Sequence, residues 1–297
     1  MIKPSVRKLP KSSYKVCAKL ITKIKINKFA RKNLRYSMNG YKEESQILWH
    51  NVDLRQEIKP YAFLNLTQEI AGNHANKLHF GYNDLKECEQ TWVLSRIKVR
   101  YNSYPKWQDK VTLETWHKGM QSLFGLRDFI LHTEEGSQAI VATSSWLIMN
   151  SRTRRIERTN NFYNNPEILN QANLKNAIEE PCDRLKSQPD MTKVREHTVK
   201  FSDLDALGHT NNAKYSEWTT DSIDPEIFKN YRIKEFQLNF NAETKIGEHI
   251  EIWSKEIETP ESILTANKIR SASRTFIFEG RRDGKSVYEA IYTFVEA

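Results

Sequence analysis

The chain says the same thing twice. A strand-like run at 45–52 is followed by a helix that Pro60 opens, with apolar residues Phe63, Leu66 and Ile70 at helical spacing and Gly72 or Gly81 as candidate stops. Strand-like runs follow at 92–104, 109–118, 121–133 and 137–150, with Glu-Glu-Gly (134–136) as a hairpin turn. The same order then returns: a strand at 197–201, a helix at 211–220, and strands at 232–244, 247–258, 262–279 and 285–296, with a turn at 281–285. Asp53 precedes Pro60 by seven residues, and Asp205 precedes Asn212 by seven. A period of this length means two copies of one domain rather than a solenoid. The expected fold class is α+β, each copy a long helix wrapped by a curved antiparallel sheet. The expected organisation is an N-terminal extension at 1–44, a first domain at 45–155, a linker at 156–194 with one short helix around 167–179, and a second domain at 195–297.

Charge looks like a nucleic-acid signal until it is located. The net charge is +9, but residues 1–38 hold 12 Lys and Arg and no acid, which leaves 34 basic against 37 acidic residues in the rest. The folded part is therefore near neutral, and no nucleic-acid partner is expected. The basic segment reads as a transit segment, as a segment for an anionic surface, or as sequence upstream of a start at Met38. No run of about 18 apolar residues is present, so no membrane span is expected. Cys17, Cys88 and Cys182 are scattered and odd in number, which fits neither a disulfide framework nor a zinc site and points to a reducing compartment. The expected compartment is the cytoplasm, or an organelle stroma if 1–38 is a transit segment.

Chemistry concentrates in Phe-Ser-Asp-Leu-Asp-Ala-Leu-Gly-His-Thr-Asn-Asn-Ala-Lys-Tyr (201–215). A carboxylate at Asp205 can activate water or attack directly. Gly208 permits a tight turn and close approach by a ligand. The helix that follows presents free backbone N–H groups that can stabilise an oxyanion, with Gly208, Asn211 and Asn212 as the positioning residues. The plainer alternative is that Asp205 and Asn211 are helix caps and His209 is a surface histidine. The order Asp, Gly-His, Asn-Asn between a strand and a helix favours chemistry.

This segment resembles the signature of hotdog thioesterases. Three segments of the first half narrow the resemblance to the acyl-carrier-protein thioesterase family: Trp-Val-Leu-Ser-Arg (92–96), Tyr-Pro-Lys-Trp-Gln-Asp (104–109, with Gln108 where the family has glycine) and Trp-Leu-Ile-Met-Asn-Ser-Arg-Thr-Arg-Arg (146–155). The resemblance spans about 45–297. It implies two tandem hotdog domains, hydrolysis of fatty acyl–acyl-carrier-protein thioesters in fatty acid biosynthesis, and a catalytic set of Asp205, His209 and Glu243 in the second. It implies no metal and no cofactor, an acyl-chain pocket in the non-catalytic first domain, and acyl carrier protein as partner, with Arg152, Arg154 and Arg155 as candidate docking residues. A monomer and a homodimer are both compatible with it. The family's motif asparagine is Leu207 here, and the position that is cysteine in many members is Thr244, so a cysteine nucleophile has no support. An acyl-CoA thioesterase, or an inactive double hotdog that binds acyl chains or a partner, are the competing readings.

Overall fold

The computed structural model describes residues 40–157 and 175–297. The first half contains β1 (Tyr41–Gln46), α1 (Pro60–Lys77), α2 (Tyr82–Lys86), β2 (Gln90–Tyr101), β3 (Lys110–Gln121), β4 (Phe124–Thr133) and β5 (Gln138–Asn150). The second contains β6 (Thr192–Thr198), α3 (Asn212–Thr220), α4 (Pro225–Asn230), β7 (Tyr231–Phe240), β8 (His249–Ile257), α5 (Glu261–Asn267), β9 (Ser273–Arg282) and β10 (Lys285–Glu296).

Local chemistry explains the main elements. Pro60 opens α1 because it has no N–H to leave unsatisfied and its φ is already helical. Phe63, Leu64, Thr67, Ile70, Ala71 and His74 then bury one face of the helix. Each large apolar side chain on that face contributes about 1.5–3 kcal/mol. The helix passes through Gly72, a position where lost entropy costs only about 1 kcal/mol, and Gly81 precedes α2 rather than ending α1. Two further expectations change. The first strand is 41–46 rather than 45–52, because a 3-10 turn occupies Trp49–Asn51. The run at 262–279 is not one strand: α5 takes its beginning, ends with Lys268 in the left-handed region, and β9 starts at Ser273. The short helix expected at 167–179 lies mostly outside the described residues, and 175–179 is not helical.

All ten strands form one antiparallel sheet in the order β1-β3-β4-β5-β2-β7-β10-β9-β8-β6. Read inward from each edge, the two halves have the same order. They meet at β2 and β7, where Ile97 pairs with Leu238 and Val99 with Phe236. These residues and both long helices share one apolar core. The two halves are thus two tandem hotdogs fused edge to edge.

The segment after residue 174 crosses the outer face of the sheet. Trp116 Nε1 donates to the Lys175 carbonyl (2.8 Å), and the Ala177 N–H donates to Asp128 (2.7 Å). Further on, Lys98 donates to the Pro181 carbonyl (2.9 Å) and Gln237 to that of Asp183 (2.7 Å). The strap therefore binds strands on both sides of the seam. Cys182 is buried beneath it, and its thiol is pushed up to about 12 by burial.

Candidate active site

The turn before α3 is built by Asp205. Its N–H donates to the His209 carbonyl (2.8 Å), and its Oδ1 accepts from the Leu207 N–H (2.8 Å) and the His209 N–H (3.3 Å). The Gly208 N–H donates to the Asp205 carbonyl (3.0 Å), and Gly208 sits at φ +76°. A side chain at that φ is disfavoured, so the glycine is explained by backbone conformation. The amides of Gly208 and His209 both donate to Asp205 within the turn, so neither is free to bind an oxyanion.

Past the turn, Asn211 caps α3. Its Oδ1 accepts from the Ala213 N–H (2.8 Å) and from Gln68 Nε2 of α1 (2.9 Å). Both contacts fix the amide orientation, with Nδ2 left as a donor. Among the described residues the Asn212 backbone N–H has no partner. These two groups are the donors that the helix N-terminus offers to a developing negative charge.

Glu243 reaches the same place from the segment after β7. The Thr210 N–H donates to the Thr244 carbonyl (2.9 Å), and Thr244 Oγ1 lies 2.7 Å from Thr210 Oγ1 and 3.0 Å from the Tyr215 hydroxyl. Thr244 is fully buried, so it serves as the pin between the two segments. The pin sets Glu243 Oε2 3.3 Å from His209 Nε2, with both side chains partly exposed. Arg154, from the loop after β5, forms an ion pair with the same Glu243 oxygen. Arg282 donates to the Glu243 carbonyl (3.0 Å).

Of the residues singled out in the sequence, His209 and Glu243 touch. Asp205, Gly208 and Asn211 shape the turn and cap the helix, and Asn212 offers its amide. Arg154 and Gln68 were missed as members of the site. Arg154 had a signal, since it lies in the Trp-Leu-Ile-Met-Asn-Ser-Arg-Thr-Arg-Arg segment, but nothing in the sequence paired it with Glu243. Leu207 projects outward, 47% exposed. Among the described residues no three His, Cys, Asp or Glu side chains cluster to hold a metal ion.

The first half holds the same turn without the chemistry. Asp53 Oδ1 accepts from the N–H groups of Arg55 (2.8 Å) and Glu57 (3.0 Å), and its own N–H donates to the Glu57 carbonyl (2.9 Å). Gln56, at φ +62°, takes the place of Gly208. Glu57 takes the place of His209 and is buried against Arg232 (2.9 Å). The Ile58 N–H donates to Pro105 as that of Thr210 does to Thr244, which puts Tyr104 in the place of Glu243. The aspartate is thus common to both turns, and the His–Glu pair belongs to one.

Fold and site together define a tandem hotdog protein with a His–Glu pair beside the N-terminus of the second half's helix. The Acyl-ACP thioesterase N-terminal domain model matches residues 38–165 and the Acyl-ACP thioesterase C-terminal domain model matches 186–293. The chain belongs to the acyl-ACP thioesterase family. It is 26% identical over 240 residues to the chloroplastic oleoyl-acyl carrier protein thioesterase 2 of Arabidopsis thaliana, covering 76% of this chain and 65% of that protein. It is 28% identical over 230 residues to the chloroplastic palmitoyl-acyl carrier protein thioesterase of Gossypium hirsutum, covering 73% and 54%. The chain thus spans less than two thirds of the length of these curated relatives. Among solved structures, an acyl-ACP thioesterase from Bacteroides thetaiotaomicron superposes with a TM-score of 0.74 at 25% identity, over 86% of this chain and 97% of that one. The 12:0-ACP thioesterase from Umbellularia californica superposes with a TM-score of 0.75 at 22% identity, over 86% and 94%.

Proposed function

We propose that the chain hydrolyses fatty acyl–acyl-carrier-protein thioesters and releases free fatty acid for lipid synthesis. The observation that carries this reading is the 3.3 Å approach of Glu243 to His209 beside the N-terminus of α3, in a chain of this family. Glu243 takes a proton from water as the water oxygen attacks the thioester carbonyl carbon, and His209 orients the pair. The negative charge that moves onto the carbonyl oxygen is met by the Asn212 N–H and Asn211 Nδ2. The C–S bond then breaks, and the departing thiolate takes the proton back through His209. Asp205 holds the turn, and its second oxygen is left to water.

In this reading residues 195–297 carry catalysis, residues 45–155 supply the acyl-chain pocket, and 156–194 joins them. The carrier protein docks on a basic face near the site. Arg155 remains the candidate there, because Arg152 pairs with Glu89 and Arg154 with Glu243. One chain contains every residue of the site, so a homodimer is not required for it. No helix among the described residues is long and apolar enough to cross a membrane, and we place the enzyme in the cytoplasm, or in a stroma if 1–38 directs it there.

The test is release of fatty acid by wild type and Glu243→Ala from matched acyl-carrier-protein and acyl-CoA thioesters of several chain lengths. Wild type should prefer the carrier-protein series, and the variant should lose about 10²–10⁴-fold in kcat. Equal rates on the two series would favour acyl-CoA as substrate, and a fully active variant would remove Glu243 from the mechanism.

A further inference from the structure

We propose that Arg154 is a positioning residue for catalysis: it holds the Glu243 carboxylate against His209 from the other half of the molecule. The inference rests on the reading of Glu243 given above. Its basis is geometric. Arg154 and His209 converge on one oxygen of Glu243, Arg154 from the first hotdog and His209 from the second.

The loop that carries Arg154 is built to present it. Asn150, the last residue of β5, folds the chain back on itself. Its Oδ1 accepts from the N–H groups of Arg152 (3.1 Å) and Thr153 (2.8 Å), and its carbonyl accepts from that of Arg154 (2.9 Å). The Asn150 N–H donates to the Arg155 carbonyl (2.9 Å), and Asn150 Nδ2 donates to Glu157 (2.9 Å). The Ser151 N–H donates to the Glu89 carbonyl (2.8 Å), which ties the loop to the start of β2. Arg154 itself sits at φ +57°. A non-glycine residue in the left-handed region is costly and persists where its surroundings over-determine it. Here the result is a guanidinium projected across the molecule onto a carboxylate of the opposite half.

The ion pair removes rotamers in which Glu243 swings away from His209. Free movement of Glu243 is further limited by Arg282, which holds its backbone carbonyl. The first hotdog therefore contributes to the chemical step as well as to acyl binding.

The experiment is a set of variants assayed on one acyl-carrier-protein thioester. Arg154→Gln and Arg154→Gly should each lower kcat about 10–100-fold with KM changed by less than about threefold. Glycine suits φ +57°, so Arg154→Gly keeps the loop and should match wild type in Tm. Arg154→Lys should restore most of kcat. The double variant Arg154→Gln/Glu243→Gln should be no slower than Glu243→Gln alone, because the two residues act as one unit. A raised KM at unchanged kcat would make Arg154 a docking contact and overturn the proposal. Additive losses in the double variant would also overturn it. If Glu243→Gln is itself fully active, the assignment of Glu243 fails first and separately; if Glu243→Gln is inactive while Arg154→Gly is fully active, only the role of Arg154 fails.

Discussion

Asp205 and its twin Asp53 separate two roles that a motif combines. Both anchor the same five-residue turn, so an aspartate at that position follows from backbone geometry alone. His209 and Glu243 are not required by that turn, since their counterparts Glu57 and Tyr104 make other contacts: Glu57 binds Arg232, and the Tyr104 hydroxyl donates to the Ile233 carbonyl (3.1 Å). The sequence could show His209 and Glu243 individually because each lies in a recognisable segment. It could not show that Thr210 and Thr244 pin those segments together, because a threonine pair carries no pattern. Leu207 is a surface side chain whose N–H already serves Asp205. Leu207→Asn should therefore leave Tm within about 1–2 °C of wild type, as a surface substitution, and should leave kcat within about twofold of wild type; stopped-assay kinetics at saturating substrate check this. Gln108 stands at φ +72°, and its counterpart in the second half is Gly247 at φ +83°. Gln108→Gly should relieve a left-handed side chain and raise Tm by roughly 2–3 °C, the balance of about 1–2 kcal/mol of relief against the entropy of glycine.

At the scale of elements, the interior of the first hotdog is not uniformly apolar. His74 of α1, Thr115 and His117 of β3 and Arg127 of β4 form a buried layer. Arg127 Nη1 lies 2.9 Å from His74 Nδ1 and donates to Thr115 Oγ1 (3.1 Å). Burial, followed by the charges of Arg127, His117 and Lys77, lowers His74 to about 2. Burial and Arg127 lower His117 to about 3, against a backbone hydrogen bond at Leu126. Both rings are neutral in the fold and take up protons on unfolding once pH drops below about 6.5, their unfolded value. The unfolded chain then binds more protons, so stability is full above that pH and declines as pH falls towards 3, by on the order of 1 kcal/mol per pH unit for each ring. Urea midpoints at pH 7.5 and pH 5 should differ accordingly, and His74→Gln should reduce the difference. This layer was invisible in the sequence, where four polar residues spread over three elements give no sign of meeting. Other elements were readable where a strong local rule operated, as with Pro60 opening α1. They were misread where the rule was weak, as at 262–267, a branched apolar run that forms a short helix with no buried residue, tied down by Asn267 donating to Glu235 (2.8 Å).

The whole molecule depends on the seam between β2 and β7. Expression of 186–297 alone would uncover the β7 edge with Phe236 and Leu238, a template for pairing with another chain. Such a fragment should self-associate, and size-exclusion chromatography at increasing concentration would show it; a fragment that stays monomeric would mean the seam contributes little. The two outer edges are different. β1 carries Lys42, Glu43 and Glu44, and β6 carries Lys193, Arg195 and Glu196, charges that discourage further strand addition. In the intact chain the seam forms within one molecule, so its strength is set by the connecting segment and not by dilution. A symmetric pair of separate chains would oblige both turns to change together, since one gene would encode both. Covalent fusion lifts that constraint. One turn can then carry a buried glutamate and a tyrosine, while the other carries a histidine and a glutamate and takes an arginine from its neighbour.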